Sequence, residues 1–222
     1  MPEQFPLDAK ELTATLRVRG CEVRHVFQPI TASDWIEYEK LSAVVSWRDD
    51  AGLILTDSME PQAAADLWQR RILRVDPPGE LADLSETPLK HQIAAIAGLS
   101  QVFATGDDLV TGGLVKITLE AARNGQRYAG LEHFFRRPSM QQSLAYERLS
   151  AQCHAIRYDD GVRKSLVLSR LPELIELYDA LIEDVCGYQF GDLGGARVIA
   201  DQMDPMHKKQ AALALFGAGL GG

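Results

Sequence analysis

Cysteine is scarce in this chain: Cys21, Cys153 and Cys186 are the only ones among 222 residues, an odd number without metal-like spacing. That fits a reducing compartment, with free thiols serving as small core residues, and leaves no paired-cysteine zinc motif. Positive charge is also short, with a net charge of −8 at pH 7, so no global field draws the protein to nucleic acid or anionic lipid. No apolar run approaches the length needed to cross a bilayer. The amino-terminal stretch MPEQFPLDAKEL lacks the charged-then-apolar pattern of a signal peptide, and the expectation is a soluble, cytosolic chain. Catalytic signatures are missing as well: there is no Gly-x-Ser-x-Gly elbow and no histidine pair at i, i+4 flanking a glutamate. Gly191-Asp192-Leu193-Gly194-Gly195 lacks the lysine and hydroxyl of a P-loop and reads as a loop. No enzyme activity, cofactor or resident metal is expected.

Internal similarity is what the chain has in quantity. Hydrophobic residues make up 46% and charged ones 24%, ordinary for a globular protein. Residues 25–43 (HVFQPITASDWIEYEKLSA) match residues 133–151 (HFFRRPSMQQSLAYERLSA) at an offset of 108. His25 meets His133, Phe27 meets Phe135, and Tyr38 to Ala43 meet Tyr146 to Ala151. A second block sets Asp66-Leu67-Trp68 against Glu176-Leu177-Tyr178, with Ile72 and Val75 against Ile182 and Val185. A third sets Pro88 and Ala94 to Ala97 against Pro205 and Ala211 to Ala214. Three matches in one order point to duplication. The expected fold class is α+β, two tandem copies of a β-hairpin–helix–strand–helix–helix unit at residues 1–106 and 107–222, with ATGDDLVTGG at 104–113 as the linker. Each copy alone buries only a modest share of its surface, so packing between copies or subunits is expected.

The units read as follows. Leu12–Val18 and Glu22–Phe27 alternate around Arg19-Gly20, while Leu114–Leu119 and Arg127–Phe135 flank Asn124-Gly125, the strongest short turn signal present. Thr31 and Ser139 stand where a hydroxyl can cap the next helix. Those helices run into Val44–Trp47 and Cys153–Tyr158. Asp49-Asp50-Ala51-Gly52 and Asp159-Asp160-Gly161 read as turns, because two clustered carboxylates fall short of the six or more oxygens calcium takes. Ala65, Trp68, Ile72 and Val75 fall at i, i+3, i+7 and i+10, as do Ile175, Tyr178, Ile182 and Val185, which predicts a core-facing helical stripe in each copy. After Pro77-Pro78-Gly79 or Gly187–Gly195, each copy ends in an alanine-rich helix, Pro88–Phe103 or Pro205–Phe216, and the terminal GAGLGG is expected to be mobile.

His25 and His133 lie on alternating strand segments, where a structural hydrogen-bonding role is expected. Cys153 and His154 are neighbours on a strand, point to opposite faces and cannot easily form one site. His91 beside Lys90, and His207 beside Lys208-Lys209, read as a solvated basic face or as a docking patch for an acidic partner. All three tryptophans, Trp35, Trp47 and Trp68, lie in the first copy. The candidate partner-binding residues are Trp35, Trp47, His91, His207, Lys208 and Lys209.

A short hairpin leads into FQPITASDWIEYEKL at Phe27–Leu41; ELYDALIEDVCGY follows at Glu176–Tyr188 and PMHK at Pro205–Lys208. This pattern resembles small tail-region proteins of tailed bacteriophages and prophages, in particular tail assembly chaperones and their relatives. The first copy departs from it after Val75, where Asp76-Pro77-Pro78 replaces the Gly-Tyr pair, and the second at Arg137-Pro138-Ser139. The resemblance implies a non-enzymatic tail assembly or virion structural protein in the bacterial host cytoplasm or the virion. Its partners would be other tail proteins or copies of itself, in a homo-oligomer or ring. The alternative expectation is a small-molecule-binding or regulatory module with a ligand cleft between the two repeats.

Overall fold

The computed structural model describes residues 3–76, 87–109, 112–159, 162–191 and 196–217. The expectations for Pro77-Pro78-Gly79, for Asp160-Gly161, for the glycine-rich run beyond Gly191 and for the tail beyond Gly217 lie outside the described residues. Over those residues the chain is α+β, with seven helices and four small sheets.

After β1 (Phe5–Pro6), β2 (Leu12–Val18) turns into β3 (Cys21–Phe27) through Arg19-Gly20, both at positive φ (50° and 86°). That is the two-residue type I′ geometry whose twist suits an antiparallel pair. Helix α1 (Ala32–Leu41) follows, capped by Thr31, whose hydroxyl accepts from the Asp34 N–H while Asp34 reaches back to the Thr31 N–H. Next come β4 (Val44–Arg48), β5 (Ile54–Ser58), α2 (Glu60–Arg71) and β6 (Ile72–Asp76). The expected single strand is therefore a hairpin, turned by Asp49, whose carboxylate accepts from the Leu53 N–H at 2.8 Å, and by Gly52 at φ 82°. Helix α3 (Leu89–Leu99) stops at Ser100, short of the expected Phe103. The expected linker is mostly β7 (Val102–Leu109), so a division after residue 106 falls inside a strand.

The second half runs β8 (Val115–Arg123), β9 (Gln126–Phe135), α4 (Met140–Gln152), β10 (His154–Asp159), β11 (Val162–Val167), α5 (Leu171–Leu181) and β12 (Ile182–Cys186). It ends in β13 (Tyr188–Gln189), α6 (Ala196–Asp201) and α7 (Pro205–Gly217). Asn124 and Gly125 make the β8–β9 turn at φ 54° and 78°. Ser139 and Gln142 form the capping box of α4.

The helical stripe expected through Val75 and Val185 is corrected. Both α2 and α5 end where an isoleucine swings into extended backbone, Ile72 at φ −66°, ψ 132° and Ile182 at φ −67°, ψ 131°. Ile72 and Val75 then lie on β6 opposite Phe27 and His25, and Ile182 and Val185 on β12 opposite Phe135 and His133. Each pairing carries a one-residue bulge between the two contacts. The extra residue lets side chains three apart face one way on a strand, which mimics helical spacing.

The sheets are ordered β2-β3-β6 and β12-β9-β8-β7; a third, β10-β11-β4-β5, joins a hairpin from each half, and β1 pairs in parallel with β13. Helix α3 packs on β2 and α2, and α7 on β7, β8 and α5. One core runs through both halves, from Phe27, Trp35 and Trp68 to Phe135, Tyr178 and Leu215. Of the matched residues expected to be buried, Leu41 is 43% exposed whereas Leu149 is 8% exposed. No helix of the described residues is long and apolar enough to cross a membrane.

Candidate functional site

Four of the six candidate partner-binding residues are not on a free surface. Trp35 is buried, edge-on to Tyr38 with ring centroids 5.7 Å apart. His207 is buried with Nδ1 2.9 Å from the Tyr188 hydroxyl. Lys208 lies in the core margin, its Nζ 2.7 Å from Asp179 and 5.5 Å from the Tyr178 ring centre. Lys209 donates to both Glu39 oxygens at 2.7 and 2.8 Å, tying α7 to α1. The basic run is thus internal wiring: the aliphatic stems pack and each charge meets a carboxylate. His91 is half-buried in the first turn of α3, well apart in sequence and element from α7. Trp47 is half-buried on β4, with Lys164 Nζ 5.7 Å from its ring centre.

Beneath α7 lies a polar chain that sequence reasoning missed. His207 Nδ1 donates to the Tyr188 oxygen (2.9 Å), the Tyr188 hydroxyl donates to His133 Nε2 (2.7 Å), His133 Nδ1 donates to the Tyr178 oxygen (2.9 Å), and the Tyr178 hydroxyl donates to Met203 Sδ (3.3 Å). This direction gives every ring nitrogen in contact with a hydroxyl a compatible role, with both imidazoles neutral. Burial drives the His133 pKa down to about 3 and that of His207 well below its ordinary value. In the first half, Trp68 Nε1 donates to His25 Nδ1 at 3.0 Å, and burial, then the neighbouring His91, lowers the His25 pKa to about 4. Both strand histidines are therefore structural hydrogen-bonding residues. Tyr188, the partner of His133, and Met203, which accepts from Tyr178, carry no sequence spacing that could have announced them.

Arg123 is a second internal cation, donating to the Pro6 carbonyl (2.6 Å) and Asp204 (3.3 Å) with its guanidinium 4.3 Å from the Phe5 ring centre. Burial raises the Asp204 pKa, and Arg123 opposes that rise. This pair borders a cleft of about 330 Å³ between the halves, lined also by Leu7, Leu12, Ile30 and Met203.

The sheet β10-β11-β4-β5 carries the exposed apolar side chains Ile54, Leu55, Ile156, Tyr158, Val162 and Val167, while others, such as Phe103 and Met140, stand elsewhere. Opposed residues run Ile156, Ser165, Ser46, Thr56 on one face and Arg157, Lys164, Trp47, Leu55 on the other. Ile54 (66% exposed), Ile156 and Tyr158 (68%) stand on the first face, and Leu55 and Val162 on the second. A hollow of 580 Å³ lies along Ser46, Arg48, Ile54 and Arg163, and one of 390 Å³ along Val45, Asp57, Lys164 and Leu166. Among the described residues, β5 and β10 are the unpaired edges of this sheet. Such a surface offers apolar area and backbone donors and acceptors to another protein.

Comparison with protein-family models, with the curated proteins and with the solved structures finds no match.

Proposed function

We propose that the protein is a non-enzymatic bacteriophage tail assembly or virion structural protein acting through protein–protein contacts, in the manner of a tail assembly chaperone. The observation that carries this reading is the four-stranded sheet with apolar side chains on both faces and two open edges. Apolar side chains exposed along two edge strands, beside their outward backbone groups, suit the addition of a strand from another protein. The internal similarity belongs to the same reading: two tandem copies, each a hairpin, a helix, a hairpin, a helix and a strand. Its support is the recurrence of His25 opposite Val75 and Phe27 opposite Ile72 as His133 opposite Val185 and Phe135 opposite Ile182, bulges included. The place of action is the bacterial host cytoplasm or the finished particle. The test is co-expression of the tagged chain with tail-tube and tape-measure proteins. The expected result is capture of one of them, lost in the double variant Ile54→Asp, Tyr158→Asp; failure to capture any tail component sinks the reading.

The cleft beside Arg123 and Asp204 favours a second reading, a small-molecule-binding or regulatory module with the ligand between the repeats. Its volume sits at the low end of ordinary ligand sites, about 300 Å³ upward. A ligand at a hundred times its dissociation constant stabilises by about 2.7 kcal/mol, so a small-molecule thermal-shift screen on the chain and on an Ala9→Trp variant, filling the cleft that Ala9 also lines, decides it. Shifts seen with the first and absent with the second support this reading, and no shifts remove it.

A further inference from the structure

We propose that copies of this chain join edge to edge, β5 of one copy pairing antiparallel with β10 of the next, by repeating between chains the contact that β11 and β4 make within each. This rests on the reading of the protein as one that acts through protein–protein contacts, and it names the partner as a second copy.

The intramolecular contact leaves two strands over. Each half contributes one hairpin, β4–β5 and β10–β11. They meet through the second strand of the later hairpin and the first strand of the earlier one. What remains is the second strand of the earlier hairpin, β5, and the first strand of the later one, β10. These are the counterparts of the two strands already joined. Within a chain, Lys164 faces Trp47, Ser165 faces Ser46, Leu166 faces Val45 and Val167 faces Val44. The hairpin bases, Val44 opposite Ser58 and His154 opposite Val167, align one hairpin on the other. Carried across, the register sets Leu55 opposite Arg157, Thr56 opposite Ile156, Asp57 opposite Ala155 and Ser58 opposite His154 of the next copy.

The chemistry of both edges fits that register. No like charges stand directly opposed, and Asp57 lies diagonal to Arg157 on the same face, where opposite charges attract across strands. Edge strands in monomers are blunted by short length, by charges or by a bulge, and above all by lysine and proline. ILTDS (Ile54–Ser58) and HAIRYD (His154–Asp159) contain neither residue, and both pair with their inner neighbours without a register shift. The contact uses two different surfaces, so each copy keeps one free edge, and the series ends only when the rotation closes it into a ring.

Mixing two single-cysteine variants tests the register, because Thr56→Cys and Ile156→Cys then face each other only across two chains. Opposed strand positions lie at Cα separations a disulfide spans, about 4.5–5.5 Å. The expected result is a crosslinked dimer from the mixture under mild oxidation, absent from either variant alone and from the wild type with Cys21, Cys153 and Cys186. Mass photometry of the wild type should give a closed multiple of 24.5 kDa, reduced to monomer in the variant Thr56→Lys, Ile156→Lys, whose substitutions are on exposed positions and leave circular dichroism unchanged. A wild type that stays monomeric at every concentration, a dimer formed by Thr56→Cys alone, or an unaltered assembly in the lysine variant overturns the proposal. A monomer that still captures a tail component overturns the edge pairing alone. A ring that captures none keeps the edge pairing and removes the tail reading.

Discussion

The sheet β2-β3-β6 and the sheet β10-β11-β4-β5 are built from similar short antiparallel strands, yet they meet opposite fates. In the first, Val26 and Phe27 on β3 and Val75 on β6 are buried, and α3 packs across it. In the second, Ile54, Leu55, Ile156, Tyr158 and Val162 are exposed. Apolar strand residues thus do not by themselves locate a core; what counts is whether a helix is delivered onto them. The covered region also holds the buried histidines His25, His133 and His207.

Acid breaks this comparison most strongly. His25 and His133 stay neutral in the fold, with pKa values lowered to about 4 and about 3. In the unfolded chain they take up protons near the ordinary value of about 6.5. The unfolded state therefore binds more protons below that pH, and stability falls as pH drops from about 6.5 towards 4, by about 1.4 kcal/mol per pH unit for each histidine. Thermal melts across this range should show a steep loss, reduced in slope in His133→Gln.

Truncation of Phe135, which is 0% exposed, to alanine should cost about 3–5 kcal/mol in chemical denaturation. The same truncation of Ile54 should stay within about 0.5 kcal/mol, and equal losses would break the comparison. Arg123→Ala should cost about 3 kcal/mol, because it leaves the buried Asp204 carboxylate without its partner. Raising the denaturant midpoint instead would show the pair to be dispensable. Tyr188→Phe should cost less, about 1–3 kcal/mol, by stranding His133 Nε2 and His207 Nδ1. Its nuclear magnetic resonance signature is the loss of the slowly exchanging imidazole proton on His207.

Local chemistry was legible in the chain. Asn124-Gly125 announced its turn, Thr31 and Ser139 their caps, and the alternation of Leu12–Val18 its strand. Where one element passes into the next without a turn residue, the reading failed. Ile72 and Ile182 switch helix to strand with no glycine or proline to mark it, and the bulges beyond them keep a helix-like spacing. The candidate site was hardest to read. His207-Lys208-Lys209 has the composition of a solvated patch, but Asp179, Glu39 and Tyr188, each distant in sequence, draw all three inward. Val44–Trp47 and Leu53–Leu55 have the composition of core strands and are not core.

By itself the sequence determined the periodic segments, the turns and caps between them, and the pairing of like residues at His25 and His133, Phe27 and Phe135, Trp68 and Tyr178. These depend on a few neighbouring residues and on backbone sterics, which act over short spans of chain. Only the tertiary structure decided which apolar strands are covered and which lysines are neutralised. It also decided that β11 seeks β4 across the two halves. Those outcomes depend on groups apart in the chain meeting in space, Lys208 and Asp179 across 29 positions and Lys209 and Glu39 across 170, where burial and ion pairing are settled by the partner that arrives.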